Sequence, residues 1–380
     1  MTRSLRWTQY LAFATLGLVM SLIGPLLPAI RAEIPMSYLE AGLVLSGQFL
    51  GMIVTVPLGG HLADHFGKKP FLMASGVLLV AGLAGCALST SFAALLLTCV
   101  VTGIGSGGYE VGANALLADH TEAGSGEAMN LLHFFFGAGA VAGPFLATLV
   151  VTSGLRWRLA FAAIAVLPLV VSLVLLPQRV TGRREVVHDT SALYRDGALW
   201  LCGLLIAVYV GIETSVYGWI STFWQQRAGG SILPAPLVAS IFWITLTAGR
   251  LLCGKLADRI GLLRFVGHAS SAVLAVSAAW ALLPGPAITL GAVFLLGLFL
   301  AGIYPTMMAF ATESYPGHSG KVVALLAVFA GVGGFVVPPA VGRLADAFGM
   351  GALPPSVAVL SLAQFASLRI VRSSRIAVPR

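Results

Sequence analysis

Residues 59–70 read GGHLADHFGKKP, and residues 254–261 read GKLADRIG. Leu62-Ala63-Asp64 and Leu256-Ala257-Asp258 stand 194 positions apart, as do Gly67 and Gly261. The same offset pairs Gly17 with Gly211, Ser21 with Ser215, Gly24 with Gly218, and Ser125-Gly126 with Ser319-Gly320. It also pairs Gly137, Gly139 and Pro144 with Gly331, Gly333 and Pro338, with no gap anywhere along the register. Glycines alone could coincide by chance in a chain with 45 of them. A repeated LAD…G block at one fixed offset is a different matter, and it identifies a tandem repeat. Two halves in parallel register imply a central site between them, near the membrane midplane.

Outward from these blocks the chain is apolar. It has 380 residues, 58% of them hydrophobic and 9% charged, with a mean hydropathy of +0.94. Soluble domains carry about 25% charged residues, so a soluble protein is excluded. Twelve apolar runs lie near 8–30, 39–60, 70–89, 92–118, 127–151, 159–177, 197–225, 235–257, 262–283, 286–311, 321–343 and 352–371. Each is long enough to cross a hydrocarbon core of about 30 Å as a helix. Backbone groups in lipid need internal partners, so helix is the economical reading for every run. The expected fold is all-α and integral to the membrane: twelve transmembrane helices in two pseudo-symmetric six-helix bundles. Residues 1–177 form the first bundle, 178–196 a cytoplasmic linker and 197–380 the second bundle. The first run is too long for a signal-peptide core and reads as a retained span.

The net charge of +8 sits between the apolar runs, not on one face, so nucleic acid is not an expected partner. With the N-terminus in the cytoplasm, sixteen Lys and Arg fall on the cytoplasmic side. Five, Arg31, Arg156, Arg158, Arg227 and Arg343, fall on the other, and Arg250 lies inside a span. The positive-inside rule therefore favours a multi-pass cytoplasmic-membrane protein with both ends inside. The partners expected are membrane lipid and a small-molecule solute, and the chain is read as a monomer. The four cysteines, Cys86, Cys99, Cys202 and Cys253, lie in apolar segments without metal-ligand spacing, so neither disulfides nor a metal site is expected.

Of fourteen acidic residues only Glu110 and Glu213 fall well inside spans. Intramembrane ionisable groups are costly and are functional candidates by default. Glu110, in span four, and His133, in span five, flank a short turn at matching depth, to within about 3 Å at 1.5 Å per residue. They are expected to meet across this hairpin. A carboxylate exchanges protons and an imidazole partner tunes that exchange, so the pair is a candidate for proton coupling. Asn114 shares a face with Glu110 and Asn130 with His133, a second polar layer suited to solute binding. Glu213 and Arg250, on spans seven and eight, also match in depth to about 3 Å. Arginine keeps its charge, so a Glu213–Arg250 pair is either architectural or a solute contact. Tyr209, Tyr217 and Trp243 stand near them as candidate solute-binding aromatics, and Trp224 reads as an interfacial anchor. Tyr304 is the repeat partner of Glu110, so coupling chemistry is expected in the first half, with a phenol offered from the second. Asp64 and Asp258, at cytoplasmic helix ends, can cap a neighbouring helix or hold a basic residue such as Lys68 or Arg259, a gating role.

The block GGHLADHFGKKP and its echo GKLADRIG resemble the loop signature of the major facilitator superfamily. The pieces GGYEVGAN, MNLLHFFFGAGA, YVGIETSVYGWIS, FWITLTAGRLLCGKLAD and AGIYPT are similar to its fucose–proton symporter and sodium-dependent glucose transporter-like branch. That resemblance implies a secondary transporter of a small polar solute, a sugar first of all, coupled to protons through Glu110 by alternating access. It implies no cofactor beyond the coupling ion, a proton or, in the variant reading, sodium. His133 falls at a polar position of the symporter's span five. Phe136 replaces that family's neighbouring asparagine, and the first span lacks its aspartate, so fucose itself is not implied. The competing reading is a proton-driven exporter of drugs or metabolites. Its span-four arginine is missing from TCVVTGIG (98–105), although GAGAVAGP (137–144) partly echoes its span-five signature. Neither HExxH nor GxSxG occurs, which argues against an intramembrane enzyme.

Overall fold

The structure is a computed structural model describing residues 3–120, 126–178, 195–228, 232–315 and 318–373. The helices are α1 (Arg3–Glu33), α2 (Tyr38–Phe66), α3 (Lys68–Leu88), α4 (Phe92–His120), α5 (Gly126–Thr152), α6 (Arg158–Leu175), α7 (Gly197–Phe223), α8 (Ala235–Ile260), α9 (Leu262–Leu282), α10 (Pro286–Leu300), α11 (Ile303–Ser314), α12 (Ser319–Phe348) and α13 (Leu353–Ser373). Among the described residues there is no strand, and twelve stretches are long and apolar enough to span a membrane. The tenth stretch is α10 and α11 together, broken at Ala301-Gly302. Pro305 has no N–H to give the carbonyl four residues back, so the ladder opens at that point. Elsewhere prolines stay inside their helices, as at Pro57, Pro144 and Pro168, because neighbouring helices compensate for the lost bond.

The chain divides into two compact units, Met1–Val186 and Val187–Arg380. The linker expected over 178–196 lies for the most part outside the described residues. In the first unit α1 runs along α5, α4 lies between α2 and α3, and α6 packs on α3 and α1. In the second, α7 runs along α12, α10 lies between α8 and α9, and α13 packs on α9 and α7. The repeat seen in sequence is thus also a repeat of helix pairings.

Two local devices make this work. The first is the glycine of the LAD…G block. Gly67 and Gly261 hold φ of 92° and 91°, joining α2 to α3 and α8 to α9 through a single residue. With ψ near 139° and 138° this is backbone that glycine adopts and side-chain-bearing residues rarely do. The second is close approach at small residues, as usual between helices in lipid. A methyl on Gly139 would run into the carbonyl of Ala14, locking α5 to α1. Its repeat partner Gly333 faces the carbonyl of Ala207 in the same way, locking α12 to α7.

Two helix starts, those of α2 and α7, are capped by side chains. Ser37 and Glu40 form a reciprocal capping box at α2, with bonds of 3.1 and 2.8 Å. The Asp196 carboxylate accepts from the Ala198 N–H at the start of α7, at 2.9 Å, and from the Tyr315 hydroxyl at 2.6 Å. Burial, with the Asp196 carboxylate adding to it, raises the Tyr315 phenol above its ordinary range and keeps it a donor.

Candidate functional site

Helix α4 assigns each of its faces a task. Gly105, Gly108 and Gly112 face Ser75, Leu79, Phe71 and Leu72 of α3. Gly103 and Gly107 face Gln48, Met52 and Thr55 of α2, and Val111 meets Gly59. Tyr109 is fully buried and donates to the Pro168 carbonyl of α6 at 3.2 Å. What remains is a stripe at i, i+4 and i+8: Ser106, Glu110 and Asn114. Ser106 is buried and its hydroxyl has no hydrogen-bond partner among the described residues. Sequence reasoning missed it, although it stands one turn before Glu110. The Asn114 amide donates to the Glu110 backbone carbonyl at 2.8 Å, which leaves its oxygen as an acceptor on the same face. Glu110 itself is half-buried and has no ion-pair partner among the described residues.

The expected meeting of Glu110 with His133 across the hairpin is not seen among the described residues. No hydrogen bond or ion pair joins them, and α4 and α5 barely touch. The His133 ring stands edge-on to Phe13 of α1, with centroids 5.4 Å apart. Counting residues from a shared turn gives depth along a helix and is silent about rotation about its axis. The small-residue face of α5 fits α1, that of α4 fits α2 and α3, and chain neighbours were separated accordingly. Tyr10 stacks on Phe135 at 5.0 Å, extending the same α1–α5 seam. Asn130 lies in α5, but its side chain falls outside the described residues, so of the expected second polar layer only Asn114 is described.

In the second unit the expected pairing is present. Arg250 Nη2 stands 3.8 Å from Glu213 Oε1, an ion pair too long to be a tight hydrogen bond. Tyr209 lies one turn before Glu213 on α7. Its hydroxyl, the Thr247 hydroxyl and the Arg250 Nε are buried with no hydrogen-bond partner among the described residues. Aromatic rings of α7, α8 and α11 pack on one another in the same unit. Tyr209 and Tyr304 have centroids 6.0 Å apart, and Tyr217 and Trp243 5.1 Å apart. Tyr304 follows directly on the break of the tenth span, so its position comes from Gly302 and Pro305 and not from a continuous helix. Thr247 is another residue that sequence reasoning passed over, since a lone hydroxyl in an apolar run carries no periodic signal.

Two further expectations come out differently. Trp224 is not an interfacial anchor: it is fully buried, and its indole donates to the Leu233 carbonyl at 3.0 Å, closing the α7–α8 connection. Asp64, Asp258 and Arg259 make no hydrogen bond or ion pair among the described residues, so no latch between them is seen there. Lys68 is buried at the start of α3, beside the Gly67 turn.

Two six-helix repeats, each with polar groups set into an otherwise apolar interior, define a membrane transporter. The sequence model of the Major Facilitator Superfamily matches residues 10–338, and the chain belongs to that family. It is a secondary transporter and not an enzyme. An MFS-type transporter of Yersinia pestis is 25% identical over 363 residues, covering 95% of this chain and 94% of that protein. The sodium-dependent glucose transporter 1A of Mus musculus is 25% identical, with 88% of each chain covered. Among solved structures, a D-xylose-proton symporter superposes with a TM-score of 0.77 at 15% identity, covering 95% of this chain and 97% of that one.

Proposed function

We propose that this protein takes up a sugar together with protons, by alternating access, with Glu110 as the proton carrier. The observation that carries the reading is the contrast between the two intramembrane carboxylates. Glu213 has a permanent counter-charge in Arg250, 3.8 Å away, and so cannot cycle between charged and neutral forms without leaving a bare cation. Glu110 has no such partner among the described residues and lies beside the free acceptor of Asn114. A bare carboxylate inside a membrane protein costs about 2.5–3.5 kcal/mol on insertion scales. Loading a proton removes that cost, so a loaded carrier changes conformation more readily than an empty one. That is the asymmetry symport requires.

On this reading each unit offers its own candidate solute contacts: Ser106 and Asn114 beside Glu110 in the first, and in the second the rings of Tyr209, Tyr217, Trp243 and Tyr304 with Thr247 and the Glu213–Arg250 pair. A buried hydroxyl without a protein partner favours a ligand that brings one, since the unpaired group costs about 1–3 kcal/mol. The cytoplasmic membrane, with both termini inside, is the proposed setting, supported by the sixteen-to-five distribution of basic residues.

The test is uptake of a labelled hexose panel into proteoliposomes under an imposed pH gradient. Wild type is expected to accumulate solute uphill. Glu110→Gln is expected to lose accumulation and keep solute exchange at equal concentrations. If the variant accumulates solute as well as wild type, Glu110 is not the carrier. The sodium-dependent relative supports a second reading, in which Glu110 and the Asn114 oxygen hold sodium. A sodium gradient at uniform pH that drives the same accumulation would assign the coupling to sodium.

A further inference from the structure

The second unit has a feature that solute transport does not use. Helices α12 and α13 both pack along α7 but scarcely touch each other. Between them lies a crevice of about 810 Å³. Val336, Ala340, Leu344 and Phe348 of α12 line one wall, and Pro355 and Val359 of α13 the other. Phe348 is 77% exposed and Val359 67%, so the crevice opens on the outside of the bundle, where lipid lies. It closes at one end, at the 3-10 turn Met350–Ala352, and there the Arg227 guanidinium lies over Gly351. The approach is close: an added Cβ on Gly351 would stand 3.3 Å from Nη2.

Three properties limit what can fill the crevice. Its length from Phe348 to Val336 is about 18 Å at 1.5 Å per residue, close to one leaflet of a hydrocarbon core about 30 Å thick. Its volume falls within the roughly 300–1,000 Å³ typical of small-molecule sites, and its walls carry no charge. Water has no role in such a space, so it takes apolar chain. The third property is the cation at the closed end. Of the other arginines on that side, Arg31 bonds the Met36 carbonyl at 3.1 Å and Arg158 pairs with Glu33, whereas Arg156 and Arg343 have no such partner among the described residues and do not line the crevice. Arg227 makes no hydrogen bond or ion pair among the described residues. Asp346 is the acidic residue on this stretch of α12, and at two positions from Leu344 it stands off the lining stripe.

We propose that this crevice is a site for an anionic phospholipid, one acyl chain lying between α12 and α13 and the phosphate bonded by Arg227. A planar guanidinium suits a phosphate through paired N–H···O bonds, and an arginine at a bilayer interface can turn its head group outward while its stem covers apolar surface. The site does not depend on the solute or on the coupling ion, so it stands or falls separately from the transport reading.

The test uses the purified full chain, delipidated in detergent and titrated with phosphatidylglycerol or phosphatidylcholine of identical acyl chains, with bound lipid counted by native mass spectrometry. Phosphatidylglycerol is expected to bind about tenfold more tightly, the factor that corresponds to one bond to a charged group. Arg227→Gln should bring the two lipids level. Ala340→Trp, at an exposed position that fills the crevice, should lower occupancy of both. Equal binding of the two lipids by wild type, or an unchanged preference in Arg227→Gln, overturns the proposal. So does a wild type that retains no lipid and dimerises through α12, since a second copy of the chain would then be the occupant.

Discussion

The ion pair on α7 and α8 can be separated into its parts by a double-mutant cycle. Arg250 and Glu213 approach to 3.8 Å, with side chains 26% and 11% exposed, so solvent screens them little. At that separation, and at an effective dielectric of about 20, two unit charges attract by about 4 kcal/mol. Replacing one member strands the other: Arg250→Met leaves a buried carboxylate, and Glu213→Gln a buried guanidinium. Each is expected to cost about 3–5 kcal/mol, most of it the cost of the uncompensated charge. The double variant removes both charges together and should recover at least half of either loss. For a domain of about 190 residues, 1 kcal/mol moves the unfolding midpoint by about 2–4 °C. The single variants should therefore melt about 6–20 °C below wild type, with the double variant well above either. The assay is thermal unfolding of the four proteins in one detergent, followed by tryptophan fluorescence. If the double variant melts lower than both singles, by the sum of their losses, the charges do not interact. The two side chains would then be facing a ligand independently, and the reasoning that withholds the proton from Glu213 would fail.

Other outcomes follow from the packing. Gly139→Ala should destabilise by about 1–3 kcal/mol, since its methyl collides with the Ala14 carbonyl, a rigid backbone atom. Gly333→Ala should cost a similar amount against the Ala207 carbonyl, and size-exclusion profiles of the two variants should show matching losses of the folded peak. Gly67→Ala and Gly261→Ala should each cost about 1–3 kcal/mol through backbone strain alone, read as a fall in melting temperature. Gly60→Ala, with open space around it, is the control and should melt as wild type does.

The sequence by itself determined whatever depends on composition and on position along the chain. Lipid demands long apolar helices, so the spans were legible as hydropathy. A repeat at constant offset predicts equal partners, and α1–α5 and α7–α12 are such equals. The depth of Glu213 and Arg250 could be counted from their shared connection, and they do face each other. What the sequence left undecided was rotation about the helix axis. Glu110 and His133 were placed at one depth by the same counting, and only packing shows that α5 turns its glycines to α1 and takes His133 to Phe13. Ser106 and Thr247 were invisible for a related reason, since a hydroxyl is common in apolar runs and becomes informative only when burial leaves it without a partner. The break at Ala301-Gly302, which sets Tyr304, needed both the proline and the neighbours Cys253 and Phe265 that press on Gly302. Hydrophobic burial acts on area and is nearly indifferent to which apolar neighbour supplies it. Close contact at glycine depends on the shape of both surfaces, and the second surface belongs to a helix far away in the chain.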